Sequence, residues 1–396
     1  MRILFLFILF ASSISVASIS PRTYNTLTDL QDRIAAQPNS ETAQNINNEL
    51  IELADDLQGN SLGLALTYQT HAQLMSYLDK PKEMQALLLK AVSLKDLEST
   101  TLNQIRTMLA YSYFNEDAFI KAINVLKEVI KDEKQPSANT YALIAASYYS
   151  LGDYRSGLPF IEQACDLAKT PKEAWLQMAF SGSYQLKNYK KAGRYVDLLV
   201  FNFPENKNYW QQKAGLHQMM DELDIAAATK ELSYKQGYLE KDSDFINLGQ
   251  LLASQGVPFK VAQVLELAIK NGVIEANKRT LNLLFQSWLQ AKEIDKAILV
   301  LADLYQRFSD SSHGYQLLQY YIDQEDWKRA DRLASKLLDA QLTKSQEGKV
   351  LLYQGMAKYR LGDIRGAMLV LGKSTAFESS SSQAKSWMSY IKQMSS

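Results

Sequence analysis

The stretch NTYALIAASYYSLGDYRSGLPFIEQACDLAK, residues 139–169, carries the pattern of two amphipathic helices separated by a short turn. From Tyr141 to Tyr148 the apolar residues are spaced by three and four, which places one apolar stripe on a first helix. The same spacing after Gly152 predicts a second helix. Glycine adopts a left-handed backbone at little cost and Asp favours turns, so Gly152 and Asp153 predict the turn of a helical hairpin.

The same pattern recurs in nine segments at steps of 33 to 38 residues. Such a period is typical of a solenoid, in which each hairpin is too small to bury its own apolar face and packs on its neighbours. One slot in the second helix is expected to be small, because two helices cross there at close range. The slot holds Met84, Ala122, Gly157, Ala192, Ala226, Ala262, Ala297, Ala330 and Ala367.

Aromatic or branched residues follow seven of the nine predicted turns, where they are expected to wedge between the two helices. These residues are Phe119, Tyr154, Tyr189, Phe259, Ile294, Trp327 and Ile364.

The whole arrangement resembles the tetratricopeptide repeat, whose pattern has an opening aromatic, a small residue, a tyrosine, a later alanine and a closing proline. Trp210 stands at the opening aromatic position, Tyr113 and Tyr148 at the tyrosine position, and Pro204 at the closing proline. Many units lack the tryptophan and the proline, so the prediction depends on nine units in register. The resemblance implies an all-α, right-handed superhelical solenoid of about nine hairpins with capping helices at both ends.

The ends of the chain differ from the repeats. Arg2 is followed by an apolar run and then by small residues up to Ala17, which is typical of a cleaved secretory signal peptide, with an uncleaved anchor as the alternative. We therefore predict a signal peptide at 1–17, N-terminal capping helices at 18–64, the repeat array at 65–378 and a C-terminal capping helix at 379–396.

Charge and cysteine content exclude several classes of function. The 43 basic and 43 acidic residues are interspersed, and nucleic-acid binding would need a clustered basic excess. Cys165 is the single cysteine, so no intrachain disulfide forms, and we expect it to be a small buried thiol. The mature chain is expected to carry no membrane-inserted segment.

Catalytic and metal-binding patterns are missing from the sequence. His71, His217 and His313 have no metal-ligand spacing, and each is expected to be a packed side chain. No nucleophile elbow or phosphate-cradling glycine loop occurs. The sequence therefore predicts a protein that is not an enzyme and has no metal or other cofactor.

In the family that this chain resembles, first helices line a concave face that binds extended peptides or helices. Transferring that geometry places four inner positions in each hairpin, one, five, eight and nine residues after the opening aromatic position. These positions hold mostly Gln, Asn, Ser and Tyr. The candidate partner-binding residues among them are Tyr149, Gln177, Tyr184, Gln185, Gln211, Gln218, Asn247, Asn282, Gln286, Tyr315 and Gln319.

Amide side chains donate to and accept from a peptide backbone, and Tyr adds rigid apolar area with a polar tip. The inner positions therefore predict a groove that binds a neutral or mixed-charge peptide segment through backbone contacts and aromatic anchors. The alternative is that the amides solvate an inner surface while the tyrosines fill gaps in the packing. A clamp for a chaperone carboxylate is not expected, because Gln69 and Gln73 stand where that variant of the family uses Lys and Asn.

Three short sequence segments, at residues 208–210, 235–239 and 256–262, resemble periplasmic tetratricopeptide proteins associated with TonB-type energy-transduction systems. This resemblance implies a periplasmic location and a protein partner, TonB or its inner-membrane motor subunits, in iron uptake. The repeats also suit a scaffold for another envelope assembly, such as polysaccharide secretion or outer-membrane assembly, or a structural homo-oligomer. A lytic transglycosylase would need a separate catalytic domain, for which nine repeats leave no room.

Overall fold

The computed structural model describes residues 19–394, and the predicted signal peptide at 1–17 lies outside them. Within that range the chain forms 21 α-helices and no β-strand. It divides into two compact units, Met1–Tyr209 and Trp210–Ser396, each of which is described by itself. The predicted all-α class is confirmed.

The first unit is built from ten helices. They are α1 Pro21–Ala35, α2 Ser40–Asp56, α3 Ser61–Tyr77, α4 Pro81–Val92, α5 Ser99–Asn115, α6 Phe119–Asp132, α7 Ala138–Ser150, α8 Tyr154–Leu167, α9 Glu173–Gln185 and α10 Tyr189–Asn202.

The remaining helices belong to the second unit, apart from the first residues of α11. They are α11 Lys207–Met219, α12 Leu223–Lys235, α13 Asp242–Ser254, α14 Pro258–Lys270, α15 Lys278–Gln290, α16 Ile294–Phe308, α17 Ser311–Asp323, α18 Trp327–Leu338, α19 Lys344–Arg360, α20 Ile364–Ser374 and α21 Ser381–Met394.

From α3 to α20 the helices pair into nine hairpins that follow the predicted register. The slot residue is the fourth residue of the second helix in every hairpin except α13–α14, where it is the fifth. Its alanines are fully buried, as expected for a close helix crossing. In α19–α20, for example, a Cβ on Gly355 would meet the Leu371 side chain at 2.5 Å, so the two helices leave no room there.

One backbone bond closes every hairpin. A residue with a left-handed backbone lies five positions before the slot, or six positions before it in α13–α14. The residue after it donates its N–H to the carbonyl oxygen five residues earlier, at 2.8–3.2 Å. This is the bond of a Schellman motif, and it satisfies a carbonyl that the helix end would leave unpaired. The left-handed residues are Asp79, Asp117, Gly152, Lys187, Asp221, Gly256, Lys292, Glu325 and Gly362.

Helices at both ends of the chain cover the terminal hairpins. On α1, Leu27 packs against Leu66 of α3, and Gln31 donates to the Thr70 hydroxyl at 3.0 Å. On α21, Ala384 and Ile391 are buried in the same cluster as Leu371.

Substituting the slot residue Ala226 by Trp should lower the free energy of unfolding by at least about 1–3 kcal/mol, because the site is fully buried and overpacked cores relax poorly. Denaturant unfolding measures this change. Leu232→Trp on the same helix is the control, since Leu232 is 47% exposed and the larger side chain can point into water. Equal stability of the two variants would contradict the register given to α11–α12.

Candidate partner-binding face

The predicted inner residues lie on first helices and divide between the two units. The first unit holds Tyr149, Gln177, Tyr184 and Gln185, and the second holds the other seven. Gln177, Tyr184, Gln185, Gln211 and Gln286 are exposed. The half-buried residues are Tyr149, Gln218, Asn247, Asn282, Tyr315 and Gln319.

An aromatic ladder runs through three consecutive hairpins of the first unit. Its rungs are Phe114, Tyr149 and Tyr184, which occupy the third inner position of their hairpins. Each ring packs against the predicted wedge residue five positions later, with ring centroids 5.4 Å apart for Phe119, 4.9 Å for Tyr154 and 5.8 Å for Tyr189. Phe114 is not among the residues predicted from the sequence, although the spacing of five between two aromatics across these turns would have revealed it.

Tyr149 is a packed member of this ladder. A Cβ on Gly157 would lie 2.6 Å from its ring, and a Cβ on Gly182 of α9 would overlap its hydroxyl oxygen. The hydroxyl is buried without a hydrogen-bond partner, and burial together with the nearby Glu162 raises the pKa of Tyr149. Tyr149 therefore fixes the packing of α7, α8 and α9 and offers little surface to a ligand.

Tyr184 is the rung that reaches solvent. Its side chain is 38% exposed, and its ring lies 6.0 Å from Phe180 and 5.8 Å from Tyr189. Gln185 follows it on the surface and is also exposed.

Residues at the first inner position connect neighbouring first helices. Gln177 of α9 donates to the Tyr209 hydroxyl, which itself donates to Glu173. Asn282 of α15 and His313 of α17 are hydrogen-bonded at 2.9 Å between Oδ1 and Nε2.

Tyr315 of α17 lies near Tyr353 of α19, and burial together with this neighbour raises the pKa of Tyr315 to about 12. The first inner position thus serves hairpin stacking in three places. These three side chains contact the neighbouring first helix, and whether they also bind a partner stays a prediction.

The remaining candidates of the second unit lie on four first helices. Gln286 of α15 and Gln319 of α17 hold the second inner position of consecutive hairpins. Gln211 and Gln218 lie on α11, and Gln218 is half-buried. On α13, the carbonyl oxygen of the Asn247 side chain is buried without a hydrogen-bond partner.

The histidines and the cysteine are packed side chains. His71 Nε2 and Asn47 Oδ1 are 2.8 Å apart, and His217 Nδ1 lies 2.6 Å from Glu222. Burial raises the pKa of the Cys165 thiol to about 11, which leaves it protonated and unreactive near neutral pH. In residues 19–394 no cluster of three or more His, Cys, Asp or Glu could hold a metal ion.

Within residues 19–394, no helix is both long enough and apolar enough to cross a bilayer.

Comparison with known proteins gives distant similarities. No protein-family model matches the chain. A mitochondrial fission 1 protein of Debaryomyces hansenii is 27% identical over 119 residues, which are 28% of this chain and 76% of that protein.

Two solved structures are similar in their helical arrangement. The C-terminal part of a tetratricopeptide repeat protein from Cytophaga hutchinsonii has a TM-score of 0.40 at 12% identity, over 72% of this chain and 95% of that one. YrrB, a tetratricopeptide repeat protein with an unusual peptide-binding site, has a TM-score of 0.39 at 11% identity, over 46% and 89%. The tetratricopeptide-like pattern of this chain lies in its own helix register.

Substituting Gly182 by Ala should destabilise the first unit by about 1–3 kcal/mol, because the added methyl group overlaps the Tyr149 hydroxyl. Gly215→Ala is the matched control. Gly215 also lies within a first helix and an added Cβ meets nothing within 4 Å, so helix propensity alone should make that change neutral or stabilising. Combining Gly182→Ala with Tyr149→Leu should recover part of the loss in a double-mutant cycle. Strict additivity would show that the two residues are not in contact.

Lowering the pH from about 7.5 to 5.5 should weaken the packing of α3, because burial lowers the pKa of His71. Nearby charges have smaller influences on this pKa: Glu83 opposes the shift and Lys90 adds to it. The unfolded chain therefore binds a proton at His71 more readily than the folded chain does. The stability that depends on neutral His71 is present above its ordinary pKa of about 6.5 and is lost as the pH falls below that value.

The loss should be at most about 1.4 kcal/mol per pH unit, and hydrogen exchange of the α3 amides, corrected for intrinsic rates, measures it. His71→Gln should flatten the profile. If wild type and variant have the same pH dependence, His71 is not the group responsible.

Proposed function

We propose that this chain is a non-enzymatic scaffold that binds a peptide or helical segment of a partner protein along its first helices. The observation that carries the proposal is the ladder of Phe114, Tyr149 and Tyr184 in consecutive hairpins, with the last rung exposed beside Gln185. Exposed tyrosine held rigidly by neighbouring rings is a favourable anchor for binding, since little side-chain entropy is lost on association.

The chemistry of the exposed inner positions indicates the class of ligand. Gln185 and Gln286 carry no charge, so the surface is suited to a neutral segment held by backbone hydrogen bonds and by apolar contact with tyrosine. Because the residues lie in two units, each unit is proposed to offer its own binding surface.

We further propose a periplasmic location and an accessory role in a TonB-dependent uptake system, with TonB or its inner-membrane motor subunits as partner. This location and role are supported by the signal-like N-terminus and by the three sequence segments at residues 208–210, 235–239 and 256–262.

Photo-crosslinking from positions 184, 185 and 286 in the cell envelope tests both parts. A benzophenone amino acid is placed at each position, and one at Tyr24 is the control, since Tyr24 is 43% exposed in α1 and is not an inner residue. Tyr149 is avoided because a larger ring would disturb its contacts with Gly157 and Gly182. The captured proteins are identified by mass spectrometry, and their affinity for the purified chain is then measured.

Capture of TonB or a motor subunit from the inner positions but not from Tyr24 is the expected result. Tyr184→Ala should then weaken binding of the captured protein by about tenfold or more, while Tyr24→Ala leaves it unchanged. Capture of other envelope proteins would exclude the TonB role but keep the scaffold. Equal labelling from Tyr24 and the inner positions would contradict the proposed face.

A further inference from the structure

Positive and negative charges balance over the whole chain but are distributed unevenly along it. Residues 21–56, which form α1 and α2, contain seven acidic and two basic residues, whereas residues 327–394 contain 12 basic and five acidic residues. Residues 57–326 between them contain 28 basic and 31 acidic residues and are nearly neutral. The helices at the two ends of the array therefore carry opposite net charge.

The acidic charge is concentrated on the outer face of α2. Four exposed acidic side chains lie within about a third of the helix circumference, opposite the buried residues of the same helix. We call them the acidic face: Glu41, Glu52, Asp55 and Asp56. In residues 19–394 none of the four is in an ion pair, and the nearby Arg33 of α1 pairs instead with Glu49 at 2.8 Å and with Asp29.

The basic charge of the other end lies on the outer faces of α18 and α20. Residues four or eight positions apart lie along one side of a helix, and five exposed basic side chains have this spacing. We call them the basic face: Lys328, Arg332 and Lys336 on α18, and Arg365 and Lys373 on α20. The two helices lie side by side, because Lys358 of α19 pairs with Asp331 of α18 at 3.5 Å and with Asp363, the N-cap of α20, at 3.4 Å.

The acidic residues around the basic face leave its charge largely uncompensated. Asp331 and Asp363 are paired with Lys358, and Asp326 is paired with Arg329 at 2.5 Å. Asp339 is exposed but lies at the C-cap of α18, beyond the last basic residue of that helix. Within residues 19–394 none of the five basic side chains is in an ion pair, so their charges face solvent together.

The two faces match in more than the sign of their charge. Each also exposes an aliphatic side chain beside its charged groups. Ile51, next to Glu52, is 47% exposed, and Leu369, midway between Arg365 and Lys373, is 65% exposed. A nucleic acid or another polyanion would account for the basic face alone, whereas the acidic face of another copy accounts for both faces.

We propose that the acidic face of α2 in one copy of this chain docks on the basic face of α18 and α20 in a second copy. The inference does not depend on the proposed peptide binding, which uses first helices. Two different surfaces meet, so the contact is heterologous. Exposed ion pairs contribute little individually, so the association is weak, depends on concentration and loosens as salt screens the charges.

Paired charge reversals test the contact. One variant carries Glu52→Lys and Asp55→Lys, which leaves the acidic face without net negative charge. The other carries Arg332→Glu and Arg365→Glu, which removes most of the positive charge of the basic face. Sedimentation equilibrium of the purified chain, from about 10 µM to 1 mM, follows wild type, each variant and their equimolar mixture.

The control variant carries Glu266→Lys and Glu275→Lys. Both residues are exposed, and the pair changes the net charge of the chain as much as the α2 reversals do, but on and just after α14. Circular dichroism shows whether these exposed substitutions leave the helices intact.

We expect wild type to associate, and raising the salt from about 50 to 500 mM to weaken that association tenfold or more. Each double reversal should weaken it to a similar degree, and the control should match wild type. The mixture should associate again, as dimers, because the intact basic face of the first variant meets the intact acidic face of the second.

Three outcomes would overturn the proposal. A wild-type chain that stays monomeric over the whole concentration range at low salt removes the contact. Association that is unchanged in either double reversal, or equally weakened in the control, shows that these faces do not carry it. A mixture that stays monomeric shows that the two faces do not bind each other.

Discussion

The structure depends on one backbone hydrogen bond that recurs at every hairpin turn. The residue that follows each left-handed residue donates its N–H to the carbonyl oxygen five positions earlier. In the α7–α8 hairpin this bond joins the Asp153 N–H and the Tyr148 carbonyl oxygen at 2.9 Å. A left-handed backbone costs a residue other than glycine about 1–2 kcal/mol, and a hydrogen bond contributes about 0.5–1.5 kcal/mol. The turn by itself is therefore close to neutral, and the packing of the two helices that it aligns must supply the stability.

That balance explains which parts of the fold could be predicted from sequence. The slot residues, seven of them alanine, are set by steric contact, so their spacing revealed all nine hairpins. The turns are marked by glycine only at Gly152, Gly256 and Gly362, while residues such as Lys187 and Lys292 adopt the same conformation because tertiary packing holds them there. Composition alone would have missed those turns, whereas distance from the slot locates them.

The candidate site was less predictable, because an inner residue can face a ligand or a neighbouring helix. Gln177 and Asn282 bond to the next first helix, and Tyr315 lies near Tyr353 of the next one, so which neighbour each meets depends on how adjacent hairpins stack. Tyr149 looked like an anchor by its position, yet Gly157 and Gly182 open a space that its ring fills. The two glycines, one in the second helix of the same hairpin and one in the next first helix, were the sequence signal that Tyr149 is a packed side chain.

Once these packing roles are assigned, Tyr184 and Gln185 remain exposed among the inner residues of the first unit, and neither carries a charge. A peptide bound there, as we propose, would be discriminated by shape and backbone hydrogen bonding, which salt affects little.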